Sequence, residues 1–420
     1  MSRATLWQRL VGAAAAGCAL AACDADRGAE RDAQRDAERA SFRVQSVAFP
    51  GGASSAQARF APAADGTPIL SWLEPVGDEG VALRFASYAG GTFTPPREVT
   101  SGDDLFVNWA DLPSVQPITA ELWAAHWLKL APDSAGAYHV ATAVSADGGR
   151  SWTAPVQLND DSAAAEHGFV ELFAWDDKIA AFWLDGRQLA EWSFDDPDAL
   201  LGTSLRVAEL DRSGAVVMRE IVDELVCDCC QPNQAMTSSG PVVAYRDRTP
   251  DEIRDIVVRR FAAGRWQEPV AAGADGWHIE GCPVNGPAIA AAGERVGVAW
   301  FTAAGDSPRV RFAWSTDGAA TFAPALELDG AGAFGQLGLL LEGEGSALAT
   351  WWRAAPSGGT DLVLRHVGVD GALGELRVLA HSTATQPVDV PQIIAAGDDV
   401  LVAWTSLDEP ATVNVLLVQD

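Results

Sequence analysis

Ser145-Ala146-Asp147-Gly148-Gly149-Arg150-Ser151-Trp152 is the stretch that decides how this chain folds. An Asp at the head of a turn accepts hydrogen bonds from the N–H groups that follow it. Two consecutive glycines supply the positive φ that a tight hairpin needs. The closing Trp is large enough to plug a wedge between one small sheet and the next. A weaker copy, Ser315-Thr316-Asp317-Gly318-Ala319-Ala320-Thr321-Phe322, carries Phe in place of Trp. A hairpin clamp that occurs twice argues for fold, not chemistry.

Working outward, an alternating apolar run that ends in an aromatic residue recurs seven times, closing at Trp72, Trp127, Trp183, Tyr245, Trp300, Trp351 and Trp404. The spacing is roughly 50 to 62 residues, a period that belongs to repeat architectures. A second alternating run follows each copy, as in residues 81–87, 256–261 and 310–314, and a shorter third run leads to the next. Four short strands per unit, joined by Gly- and Asp-rich turns, define a propeller blade. The expected fold class is therefore all-β, a β-propeller of seven four-stranded blades by repeat count, or six if one unit is misread. The last unit, from Gln392, holds about three strands. Residues 42–48 are expected to supply its outer strand, so that the N- and C-terminal strands close the ring and remove its edges.

The Ser145–Trp152 run resembles the Asp box, or BNR repeat, of sialidase-like β-propellers. That resemblance covers residues 42–420 as architecture but only Ser145, Asp147, Gly149 and Trp152 and their second copy as motif. It implies an exo-α-sialidase type of glycoside hydrolase, with three arginines on the substrate carboxylate, a Tyr nucleophile activated by Glu, and an Asp acid/base. The family's Arg-Ile-Pro signature is not matched, since Arg59-Phe60-Ala61-Pro62 stands at the start of the first blade. The tyrosines are Tyr88, Tyr138 and Tyr245, none of them in the last third, where the family places its nucleophile. A binding propeller that recognises a glycan, an acidic small molecule or a protein is the leading expectation. A hydrolase on the same scaffold is the alternative, with Asp185, Asp247 and Tyr245 as catalytic candidates.

Arg3 and Arg9 precede a short apolar stretch from Leu10 and then Leu20-Ala21-Ala22-Cys23, the pattern of a signal peptide. Its end resembles the bacterial lipobox, which makes residues 1–22 the signal and Cys23 the lipidated first residue of the mature chain. Residues 23–41 are charged and nearly free of large apolar side chains, and read as a solvated tether. The protein is thus expected on the extracytoplasmic side of a bacterial membrane. Its formal charge of −28, from 57 acidic and 29 basic residues, repels phosphate backbones and argues against nucleic acid as a partner.

Propeller geometry places the loops between blades, and those after each second strand, on one face, here called the top. Arg187, Arg246, Arg248, Arg353, Trp277, His278 and Asn285 fall in these loops and are the expected ligand-binding residues. Guanidinium groups pair bidentately with carboxylate, so the arginines suggest an anion clamp. The same loops hold Cys227, Cys229, Cys230 and Cys282. In an exported chain they point first to disulfides. A soft-metal site for copper or zinc with His278 is the second reading, and an exchanging thiol pair is the third. No cofactor is otherwise expected.

Overall fold

The computed structural model describes residues 42–131, 136–191, 202–386, 389–406 and 411–419. The signal peptide, Cys23 and the tether lie outside the described residues. Seven antiparallel sheets follow one another along the chain, in blades 1 to 7 at 56–102, 114–157, 167–226, 233–271, 288–329, 333–382 and 392–419. Blade count, strand count and all-β class agree with the repeat. Blade 7 takes its fourth strand from the other end of the chain, with Arg43–Val47 paired antiparallel to Thr412–Gln419. The ring therefore closes as the sequence implies.

The recurring aromatic has one job throughout the ring. Trp183 packs into an apolar cluster with Leu128, Val140 and Val144 of the blade before it. Tyr245 does the same against blade 3, Trp300 against blade 4 and Trp351 against blade 5. Trp404 enters blade 6, Trp72 enters blade 7 and Trp127 enters blade 1. A wedge-shaped gap opens between radiating sheets, and a flat ring of large area fills it.

These rings carry a polar tip, and a buried donor needs a partner. The indole N–H of Trp183 donates to Asp185 at 3.0 Å, that of Trp300 to Asp275 at 2.7 Å and that of Trp351 to Asp329 at 2.9 Å. Trp72 donates to Glu74 at 3.0 Å, and the Tyr245 hydroxyl donates to Asp223 at 2.6 Å. An arginine then balances the carboxylate, with Arg84 on Glu74, Arg259 on Asp223 and Arg311 on Asp275. Arg84, Arg206 and Arg311 stand directly across the ladder from Trp72, Trp183 and Trp300. Aromatic, carboxylate and arginine thus form a repeated tie, within the blade at Trp72 and Trp183 and across the boundary to the preceding blade or connection at Tyr245 and Trp300.

The hairpin clamp also matches its chemistry. Asp147 accepts from the N–H groups of Arg150 (2.8 Å) and Ser151 (2.9 Å) and from the Ser151 hydroxyl (2.7 Å), and these bonds hold its carboxyl well below the usual range. Gly149, at φ 72°, passes so close to Phe85 and Trp123 that a Cβ there would collide with both rings. In the second copy Ala319 takes the same left-handed conformation at φ 64°. Both clamps follow a third strand and lie on the rim opposite the top face.

Trp300 is fully buried, so Trp300→Ala is expected to lower stability by about 3–5 kcal/mol. Chemical denaturation followed by circular dichroism would measure this. Deleting residues 42–48 should lower the melting temperature and create a self-associating edge, seen by size-exclusion chromatography.

Candidate functional site

Two features occupy the middle of the ring and its top face. The first is the central channel, a cavity of about 440 Å³ lined by the innermost strands. Its polar wall is built from Gln116, Gln231, Asn233, Gln234 and Gln392, with Arg59 and Glu171 joined as an ion pair. Burial pushes the Glu171 carboxyl up, and Arg59 opposes that shift. Among the described residues the buried Gln234 Oε1 has no hydrogen-bond partner. Amides offer a donor and an acceptor from one side chain.

Three inner strands reach this channel through bulges that force a non-glycine residue to positive φ: Gln57 (58°), Phe169 (53°) and Gln336 (55°). Each bulge directs a backbone N–H sideways onto a side chain contributed by the blade before. Phe169 N–H donates to Asp111, Gln336 N–H to Asn285 at 2.7 Å, and Gln57 N–H to Thr405 at 3.1 Å, whose own N–H donates to Asp389. Asp111, Asn285 and Asp389 each stand three residues before an inner strand. Burial pushes the carboxyls of Asp111 and Asp389 up to about 7.

The second feature is the cysteine cluster on the loop between blades 3 and 4. One disulfide joins Cys229 to Cys282. Cys227 and Cys230 are thiols, both buried, with their Sγ atoms 3.4 Å apart. The expectation of two bridges is corrected to one. Arg254 donates to Cys227 Sγ at 3.4 Å and to Asp228 at 3.2 Å, and the Asn285 N–H donates to Cys230 Sγ at 3.3 Å. The hydrogen bond with Cys230, the Cys229 N–H and two guanidinium groups lower the Cys227 thiol despite its burial, while burial raises Cys230.

The sequence-derived candidates divide between these features and the ties. Arg246 is buried over the Trp277 ring at 4.8 Å and donates to the carbonyls of Asn285, Arg254 and Phe301 at 2.7–3.0 Å. It is a tie between blades 4 and 5, with no open face for an anion. Arg248 is held by both oxygens of Glu252. Arg187 is enclosed by Asp160, Asp161 and Asp185, and Arg353 lies 3.6 Å from Asp329. The anion clamp is therefore not assembled: Arg187, Arg246 and Arg248 already donate to acceptors of the protein, which leaves Arg353 alone, its Nε without a hydrogen-bond partner among the described residues.

Asp185 is buried, and burial raises it, but Arg187, His167 and the Trp183 indole together bring it below its usual range. Tyr245 sits inside its wedge, where burial pushes the hydroxyl upward. Asp185 and Tyr245 are thus tie residues and not members of an open catalytic site. Asp247 is half-buried and raised to about 6 by burial and by neighbouring Asp223. Trp277 supports Arg246, and Asn285 pins the Gln336 bulge.

His278 is exposed and joins no group of metal-ligating side chains among the described residues. With Cys229 bridged, Cys227 and Cys230 are the remaining thiols of the group, fewer than the four donors of structural zinc. Zinc as read from the sequence therefore lacks a full donor set in the bridged form. Asp161, His167 and Asp185 also converge, with His167 Nε2 at 3.2 Å from Asp161, but the Arg187 guanidinium contacts both carboxylates there.

Sequence reasoning set Asp111 on the top face without its anchoring role, and missed Asp389 and the Arg59–Glu171 pair, because no local motif marks them. It also passed over Tyr138, whose hydroxyl donates to Glu166 at 3.4 Å beside a cavity of about 290 Å³. No arginine lines that cavity among the described residues.

No protein-family model matches the chain, and no curated protein matches it. Solved structures do resemble it. A protein of unknown function from Dyadobacter fermentans superposes with a TM-score of 0.52 at 14% identity, over 90% of this chain and 99% of that one. A GH93 α-L-arabinofuranosidase of Fusarium graminearum gives 0.48 at 12% identity, over 90% and 98%. A Hadza microbial sialidase gives 0.43 at 13% identity, over 72% and 64%. The class defined by the fold is a seven-bladed β-propeller.

Arg246→Ala would strand three buried carbonyls, each at about 1–3 kcal/mol, and is expected to lower the melting temperature well beyond Arg248→Ala. The buried acids generate a pH signature. Their native pKa is raised above the unfolded value, so the native state holds the proton longer. The contribution of Asp111 and Asp389 to stability should therefore fall as pH rises from about 4 to about 7, against the opposite trend of acids such as Asp147 and Asp185. Asp111→Asn keeps an acceptor for the Phe169 N–H and cannot ionise. It should melt higher than the parent at pH 8, with the difference vanishing near pH 4.

Proposed function

We propose that the protein is a lipid-anchored, extracytoplasmic binding propeller that takes a neutral, hydroxyl-rich ligand, a glycan end, at the top of its central channel. The observation that carries this reading is the set of amide side chains on the channel wall, Gln116, Gln231, Asn233, Gln234 and Gln392. Hydroxyl groups of a sugar donate and accept from adjacent positions, and amide side chains answer both. An acidic ligand is disfavoured, since Arg187, Arg246 and Arg248 are already engaged and the protein carries −28. A hydrolase is also disfavoured, because Asp185 and Tyr245 are locked in the ties.

Isothermal titration with neutral and sialylated oligosaccharides tests the ligand class. Neutral sugars should bind without turnover, and Gln234→Ala or Gln231→Ala should each weaken binding about two- to tenfold, the worth of one neutral hydrogen bond. Binding confined to sialylated sugars, or release of a sugar product, would overturn this reading. The anchor rests on Cys23. Cys23→Ala should move the protein from the membrane pellet to the soluble fraction, and unchanged pelleting would remove the lipid from the proposal.

A further inference from the structure

We propose that the four cysteines form a thiol–disulfide exchange site, in which one bridge passes between an outer pair, Cys229 and Cys282, and an inner pair, Cys227 and Cys230. The sulfurs are arranged in series. Cys282 is exposed, Cys229 is bonded to it, Cys227 Sγ lies 3.8 Å from Cys229 Sγ, and Cys230 Sγ lies 3.4 Å beyond. These separations approach the roughly 3–3.5 Å of groups poised to react. Static stapling does not require a second, buried pair in contact with a bridge, nor an arginine placed on one of its sulfurs. Arg254 on Cys227 and the Asn285 N–H on Cys230 are positioned to stabilise thiolate leaving groups.

The external reactant is a dithiol, and the steps balance from the form with both pairs oxidised. One external thiolate attacks Cys282 Sγ, and Cys229 leaves as thiolate. The second external thiolate then attacks the sulfur of its own partner, the external disulfide forms, and Cys282 leaves. Two electrons now sit on the outer pair. Cys229 attacks Cys227 Sγ, the Cys227–Cys230 bond breaks, and Cys230 leaves. Cys282 attacks Cys229 Sγ and Cys227 leaves, which restores the outer bridge. Each inner thiolate takes up one proton. The end state is the one observed, with the outer pair bridged and the inner pair reduced. Exposed Cys282 admits the reactant, and the buried pair stores the electrons. None of this depends on the channel or its ligand.

The experiment uses exported protein, oxidised until no thiol can be alkylated. One equivalent of dithiothreitol is added, samples are alkylated at intervals, and the labelled cysteines are located by peptide mass mapping. Labels are expected first on Cys229 and Cys282 and later on Cys227 and Cys230, at a migration rate independent of protein concentration. Cys227→Ser should abolish migration and leave the labels outside. Should that variant fail to fold, Cys230→Ser provides the control, because Cys227 then exchanges only with Cys229 and Cys282 becomes partly alkylatable without any reductant. Labels that stay on the outer pair in the parent protein would overturn the proposal. So would migration that scales with protein concentration, or an oxidised form that lacks the inner bridge.

Discussion

Everything in this ring depends on filling the gap that opens between sheets as they radiate from an axis. Flat sheets cannot close that gap by themselves, and a large aromatic at the outer reach of each second strand does it seven times. An indole or phenol at such a place brings a donor into apolar surroundings. A carboxylate receives the donor, and a cation then has to neutralise the carboxylate, because a buried unpaired charge is far more costly than a buried pair. The sequence aromatic, acid, arginine is therefore one solution to one packing problem, repeated with small changes.

That solution reshapes the chemistry available on the top face. An acidic protein whose basic residues are nearly all arginines places several of them in ties or in close acid pairs near the blade ends. The axis is lined mostly by apolar side chains, interrupted by five amides and by Arg59 and Glu171, which neutralise one another inside the wall. The channel thus carries little net charge, although the chain as a whole is strongly anionic. The cysteine loop is the exception, where reactive groups remain in mutual contact.

The blade count, the closing strand and the hairpin clamps were all legible, because each is a local pattern repeated at a fixed interval. Trp183 followed by Asp185 and Arg187 looked like chemistry, since aromatic, acid and arginine are also what a binding mouth uses. Local sequence cannot tell these roles apart. The difference lies in partners such as Arg206, across the ladder, or Asp275 and Asp329, donated by neighbouring connections. The bulge at Phe169 was illegible for a similar reason, as its anchor Asp111 lies 58 positions away. The grouping of four cysteines was visible in the chain, but which sulfurs bond and which only touch is decided by the fold.

The direction of the closing strand has a consequence for how the molecule is displayed. Arg43 pairs with Gln419 and Val47 with Val415, so the strand climbs from the clamp rim toward the mouth. Phe42 and Arg43 thus lie at the lower, outer edge of blade 7. Held by that end, the ring would stand like a cup on its base, its opening turned outward and its cysteine loop presented to passing molecules.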